Sequence, residues 1–177
     1  MGPGLRRGGP EWWCSVMASS GLPHPEVPRA AKPRRIHPAD PAGVSHTLPL
    51  RVYYEDTDAA GMVYHANYLK FAERGRSEML RSLGFPHRKL GAEDGVGFAV
   101  RRCAIEYLAP ARLEDALTVV TTLTGIGAAT LAARQEICRD GELLADLDIV
   151  VACVGRDGRP RRLPRALRAA LAVSAAP

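Results

Sequence analysis

The chain predicts an α+β architecture: one long helix against one curved antiparallel sheet of about five strands. Three observations point there. A single amphipathic helical period runs through residues 67–83. Alternation of apolar and polar residues fills most of the chain after residue 96. Asp140–Gly141, a two-residue hairpin signal, joins the last two alternating runs. The chain has 177 residues, 46% of them hydrophobic, enough for one domain with its own core.

Residues 1–46 are rich in Pro, Gly, Arg, Ala and Ser and carry no hydrophobic period. Such a segment cannot bury enough apolar area to offset its ordering entropy, so a disordered basic tail is expected, with Met17 as an alternative start. The domain proper is placed at 47–155. LPLRVYY reads as a first strand with Leu48, Leu50, Val52 and Tyr54 on one face. ANYLKFAERGRSEMLRSLGFP reads as the long helix, with Asn67 as N-cap. Its apolar stripe is Tyr68, Ala72, Gly75, Met79 and Leu83, widened by Leu69, Phe71 and Leu80. Gly84 is placed to end it, Phe85 to make the matching apolar contact and Pro86 to stop continuation. Gly75 costs about 1 kcal/mol of helix propensity, which close approach of a packed surface would repay.

HRKLGAEDG reads as a loop. VGFAV and CAIEY follow as strand segments whose inward faces are out of phase, which a bulge near Arg101–Arg102 would reconcile. Residues 116–126, 128–138 and 142–154 give three more strands. In the last, Leu143, Ala145, Leu147, Ile149, Val151 and Cys153 face one way, Asp146 and Asp148 the other. A turn at Asp157–Gly158 leads into 156–177, a basic segment with a short helix aligning Leu163, Leu167 and Leu171.

The net charge of +5 suggests a polyanion partner until it is located. Residues 1–46 hold six Lys/Arg and three Asp/Glu, 47–155 hold twelve and fifteen, and 156–177 hold six and one. The basicity lies in the ends and the central domain is mildly acidic. With aromatics at 6%, a basic stacking groove for nucleic acid is not expected. No run of about 20 apolar residues could span a membrane. Cys103, Cys138 and Cys153 sit in strand-like runs, without a CxxC pair, and read as small buried apolar residues of a reducing compartment. A cytoplasmic location is expected.

The chemistry concentrates in EDTDAAGMVYHANY, residues 55–68. Read plainly, it is a solvated acidic turn before a helix, where acids suit the helix dipole. Read chemically, the helix starts near His65–Asn67, and its first N–H groups lack partners and can hold an oxygen gaining charge. Gly61 lets the loop fold Asp58 back toward them. A carboxylate beside such a site can attack a carbonyl or deprotonate a water that does; a thioester suits this because its thiolate leaves with little acid assistance. A nucleophile elbow is missing from the loop, and Asp56, Asp58 and His65 lack a partner histidine for a metal.

The run RVYYEDTDAAGMVYHANYLKFAERGRSEMLRSLGF resembles the opening of the hotdog-fold acyl-CoA thioesterases of the 4-hydroxybenzoyl-CoA thioesterase type, closest to the branch associated with the Tol-Pal envelope system. The signature is the tyrosine, E-D-T-D, two small residues, V-Y-H-A-N-Y and an E-R-x-R helix; the similarity extends over about 48–170 and includes the PRRLP tail. It implies Asp58 as nucleophile or general base, the His65 N–H as oxyanion donor and Tyr54 lining the site. Gly61, Val63, Tyr64 and Glu73 are implied around the substrate. Arg88, Lys89, Arg101 and Arg102, with His87, are available for the phosphates of CoA. Ala60 stands where the family often has Gly. The resemblance further implies an acyl-CoA substrate, short-chain or aromatic, no cofactor or metal, and a homodimer assembling to a homotetramer with its sites at the subunit interface. The alternative is a non-catalytic dimer that binds acyl carrier protein or a cell-envelope complex. A hydratase on the same fold is disfavoured, since the acid precedes the helix.

Overall fold

The computed structural model describes residues 44–173. Five strands, β1 (Ser45–Arg51), β2 (Val96–Tyr107), β3 (Ala116–Ile126), β4 (Thr130–Arg139) and β5 (Glu142–Gly155), form one antiparallel sheet in the order β1-β3-β4-β5-β2. The long helix α1 (His65–Ser82) packs on one face of it, against β1, β3 and β4, and α2 (Arg165–Val173) is the C-terminal helix. This is the expected α+β hotdog architecture.

The tail read over 1–46 lies outside the described residues except at its end. There Ser45 and His46 already belong to β1, paired with Thr122 and Thr121 of β3. β1 turns Leu48 and Leu50 inward, but the regular strand stops at Arg51. Val52 is fully buried, while Tyr54 enters a 3₁₀ turn (Tyr54–Asp56) and leaves the core face, 82% exposed.

α1 buries Tyr68, Phe71, Ala72, Gly75, Met79 and Leu80, the stripe that its period predicts; Leu69 faces outward instead. Asn67 is not the N-cap. The helix opens two residues earlier, and the Asn67 amide donates to Asp56 O at 2.8 Å from within the first turn. The C-terminus is a Schellman motif: Gly84, at φ +84°, donates to Arg81 O and Phe85 to Leu80 O. Gly75 touches the sheet so closely that an added Cβ would stand 2.9 Å from Val119 Cγ1 and 3.0 Å from Thr121 Oγ1. The core divides at this contact into two clusters. One surrounds Tyr68 and Phe71 near the helix start, and the other surrounds Met79 and Leu80 near its end.

The segment read as a loop, 87–95, is a helical turn (His87–Lys89) running into a π-type turn (Leu90–Asp94), because the fully buried Leu90 ties it to the second cluster. β2 is continuous and bulges between Val100 and Arg102, which puts its two halves in phase with the sheet. Asp140 and Gly141 both have positive φ, as a type I′ hairpin requires. Cys138 and Cys153 are buried as expected, and burial pushes the Cys138 thiol up to about 11; Cys103, on the outer part of β2, is exposed. The C-terminal segment packs its leucines Leu163, Leu167 and Leu171 into the second cluster.

Candidate active site

The acidic bend is a small hairpin pinned at both ends. Thr57 and Val63 form a bridge, Asp58 N–H donates to Met62 O at 2.8 Å, and Gly61, at φ +71°, donates to Asp58 O at 3.0 Å. Asp58 Oδ1 accepts from the N–H of Ala60 at 2.8 Å and, at 3.4 Å, of Met62. The loop thus fixes the carboxylate by one oxygen, while Oδ2 has no partner among the described residues, and the side chain is exposed. Asp56 does the opposite work. It is buried, its Oδ2 accepts from Tyr53 N–H at 2.9 Å, and its carbonyl takes both the Asn67 amide and the Tyr64 N–H. One acid of EDTD therefore builds the bend and the other is presented by it.

Tyr64 N–H is taken by Asp56 O and Asn67 N–H by Tyr64 O, which leaves the N–H groups of His65 and Ala66 without a backbone acceptor among the described residues. The His65 ring is exposed, packs 4.3 Å from Tyr64 and meets Tyr107 edge-on. Tyr107 Oη donates to His65 O at 3.0 Å. Partial burial, aided by Cys103 and Tyr68, pushes the Tyr107 phenol up, so it remains a neutral donor. Val63 turns its side chain into the core and Val63 N–H donates to Ala111 O at 2.9 Å, so it holds the hairpin down. Tyr54 and Tyr64 are exposed beside the bend.

Glu73 is elsewhere. Eight residues along α1 from His65, it lies about 12 Å from the helix start. Its carboxylate pairs with Arg76 at 2.7 Å and accepts weakly from Ser77 at 3.4 Å. Ser77 Oγ in turn meets His87 Nε2 at 3.0 Å. Arg76, nearly buried, also donates to Gln135 Oε1 at 2.7 Å, and Gln135 donates to Ala72 O and Thr121 Oγ1, both at 2.8 Å. Glu73, Arg76 and His87 are the polar residues lining an otherwise apolar cavity between α1 and the sheet. Val100, Leu131 and Ile149 are among its walls.

Of the basic residues offered for CoA, Arg88 is exposed next to His87. Lys89 donates to Gly84 O at 3.3 Å and sits over the Phe85 ring. Arg101 and Arg102 are exposed at the β2 bulge. Tyr107, Ser77 and the Arg76–Gln135 pair were not singled out from the sequence. A signal existed for Gln135, a polar residue at an inward register of an alternating strand; nothing local marks Tyr107.

A model of the thioesterase-like superfamily matches residues 52–171. The acyl-CoA thioester hydrolase YbgC of Escherichia coli O6:H1 is 46% identical over 121 residues, covering 67% of this chain and 90% of that protein. The crystal structure of a probable thioesterase from Bartonella henselae is 38% identical, with a TM-score of 0.66, over 68% of this chain and 99% of that one. A 4-hydroxybenzoyl-CoA thioesterase crystallised with 4-hydroxybenzoyl-CoA shares the fold at 22% identity, with a TM-score of 0.68, over 72% and 99%. The match spans more than half of this chain and nearly the whole of each relative, and the hairpin and helix start fall inside it: the chain belongs to the thioesterase-like superfamily and is a thioester hydrolase of the hotdog fold.

Proposed function

We propose that the chain hydrolyses acyl-CoA thioesters, short-chain or aromatic, to the free acid and CoA, with Asp58 as the reacting carboxylate. The observation that carries this is the hairpin itself. Among the described residues it leaves Oδ2 of Asp58 unpartnered, and beyond the bridge at Val63 it leaves the N–H groups of His65 and Ala66 without a backbone acceptor. As general base, Asp58 takes a proton from water, whose oxygen bonds to the carbonyl carbon. The carbonyl oxygen gains charge against the two N–H groups. The C–S bond then breaks, its electron pair leaves with the CoA sulfur, and the proton passes to that thiolate. As nucleophile, Asp58 bonds to the carbonyl carbon directly, and water hydrolyses the resulting anhydride. If water attacks the aspartyl carbon of that anhydride, a single turnover in ¹⁸O-water puts label into residue 58, where the general-base route leaves none. Tyr107 and Tyr64 hold the helix start and its imidazole in place.

The working unit is a homodimer, able to pair further into a tetramer. Among the described residues β2 offers an unpaired outer edge of twelve residues without proline, whereas the other edge strand, β1, is short and carries Pro49. Exposed Tyr54, Tyr64, Leu69, Val100, Tyr107 and Leu108 are grouped on β2, its continuation and the first half of α1 with the loop before it. Glu73 of α1 and Val100 of the β2 edge both line the cavity, so a copy paired along β2 would lie beside it. Since Glu73 lies about 12 Å along α1 from the helix start proposed to hold the carbonyl oxygen, we assign the cavity as the acyl pocket used by the partner's carboxylate. The test is release of free thiol from a panel of acyl-CoA thioesters, from acetyl to palmitoyl and benzoyl. Full activity of Asp58→Asn would overturn the assignment.

A further inference from the structure

The end of the domain remote from Asp58 has a composition that hydrolysis does not use. Residues 156–168 hold six arginines and one acid, a local excess of +5 on a domain whose preceding 109 residues hold twelve basic and fifteen acidic side chains. The structure keeps these arginines at one end. The chain from Arg159 to Leu163 runs along the end of β5 and the β3–β4 turn, through Gly155 N–H to Arg159 O, Arg161 N–H to Cys153 O and Leu163 N–H to Ala128 O. Leu163, Leu167 and Leu171 anchor it in the core around Met79 and Leu80. That leaves Arg162, Arg165 and Arg168 exposed at spacings of three, on the side away from the leucines. Arg161 pairs with Asp157, Arg168 donates to Gly127 O and Arg156 to Gly91 O. The side chains of Arg159, Arg162 and Arg165 have no partner among the described residues.

We infer that this arginine-rich end docks on an anionic phospholipid bilayer surface. The partner class follows from what lies between the charges. The exposed positions of α2 beside them are Ala166, Ala169 and Ala172, and no large apolar side chain is exposed among residues 156–172. A specific protein interface centres on buried aromatic or aliphatic anchors, and this surface has none. A single-stranded nucleic acid would need a groove with stacking aromatics, and the exposed tyrosines lie around the helix start and the end of β2. A bilayer of acidic headgroups asks only for charge, and guanidinium groups pair with phosphate through two parallel N–H donors. Without an apolar wedge the attachment is electrostatic and reversible. α1 is about 27 Å long, so the docked domain holds its hydrolytic end a helix length from the patch.

The test is flotation of the full chain with vesicles of phosphatidylcholine alone or with about one-third phosphatidylglycerol. Binding is expected only to the anionic vesicles, with release in about 1 M salt, where the screening length falls to about 3 Å. The triple variant Arg159→Gln/Arg162→Gln/Arg165→Gln is expected to lose about a hundredfold in vesicle partitioning while keeping its melting temperature and its rate on soluble short-chain acyl-CoA. The corresponding triple Lys variant should still bind. Equal binding to neutral vesicles, retention by the Gln variant, or capture by an acidic carrier protein or duplex DNA without any binding to anionic vesicles would each overturn the inference. The readout is partitioning, so it stands or falls apart from the assignment of Asp58.

Discussion

Asp58 uses one carboxylate oxygen to accept the Ala60 N–H, a bond that an asparagine side chain can also make. Asp58→Asn should therefore keep the hairpin and remove only the charge. The expected result is a loss of about 10²–10⁴-fold in kcat for acyl-CoA hydrolysis, with stability unchanged to within about 0.5 kcal/mol. Thiol release and a thermal melt on the same preparation check both halves. Asp115 makes a different kind of prediction. Partial burial pushes its carboxyl up, but the Arg112 N–H and the Arg139 guanidinium, 2.7 Å away, outweigh burial and hold it below the ordinary range. Its folded pKa lies below the unfolded value of about 3.9, so the pair stabilises the fold above that pH and ceases to as pH falls through the folded value. Asp115→Asn should be less stable than the parent at pH 7, and urea titrations at about pH 3 should show the gap closing. Such residues differ in how far the sequence exposes them. Asp58 is legible because a bend, a glycine and a helix start stand together within eight positions. Tyr107 reaches His65 from 42 residues away, and no local pattern encodes that meeting.

Elements were legible where a period or a turn chemistry decided them. The helix stripe, the Gly84 stop, the Asp140–Gly141 hairpin and the β2 bulge all follow from patterns written in neighbouring residues. Boundaries set by the sheet were not: β1 takes in Ser45 and His46 because β3 is there to pair with them, and 87–95 becomes helical because Leu90 finds the core. Gly75 joins the two kinds, since its cost to helix propensity is local and its reason is tertiary. In Gly75→Ala the gain of about 1 kcal/mol in propensity should be outweighed by overpacking against Val119, Thr121 and Gln135, for a net destabilisation of roughly 1–2 kcal/mol. Urea unfolding measures it; an unchanged or raised midpoint would mean that the sheet yields at this contact.

At the scale of the molecule, the composite site makes a demand that no single-chain mechanism shares. If each catalytic centre joins Asp58 of one subunit to the cavity of the other, two inactive variants can repair one another. Asp58→Asn lacks the carboxylate, and Ala133→Phe fills the cavity from the β4 side, where Ala133 is one of its walls. Each homodimer should be nearly silent. In a mixed dimer one centre receives both defects and the other receives neither. Mixing the two proteins at equal concentration, with unfolding and refolding together to exchange subunits, should restore about a quarter of the parental rate, since half of the dimers are mixed and each has one intact centre. Sites complete within one subunit would restore nothing. Val100→Lys places a charge on the exposed edge strand that a second copy must cover. In sedimentation it should shift the protein toward monomer, and if the proposed centre needs both subunits, activity should fall with the dimer fraction.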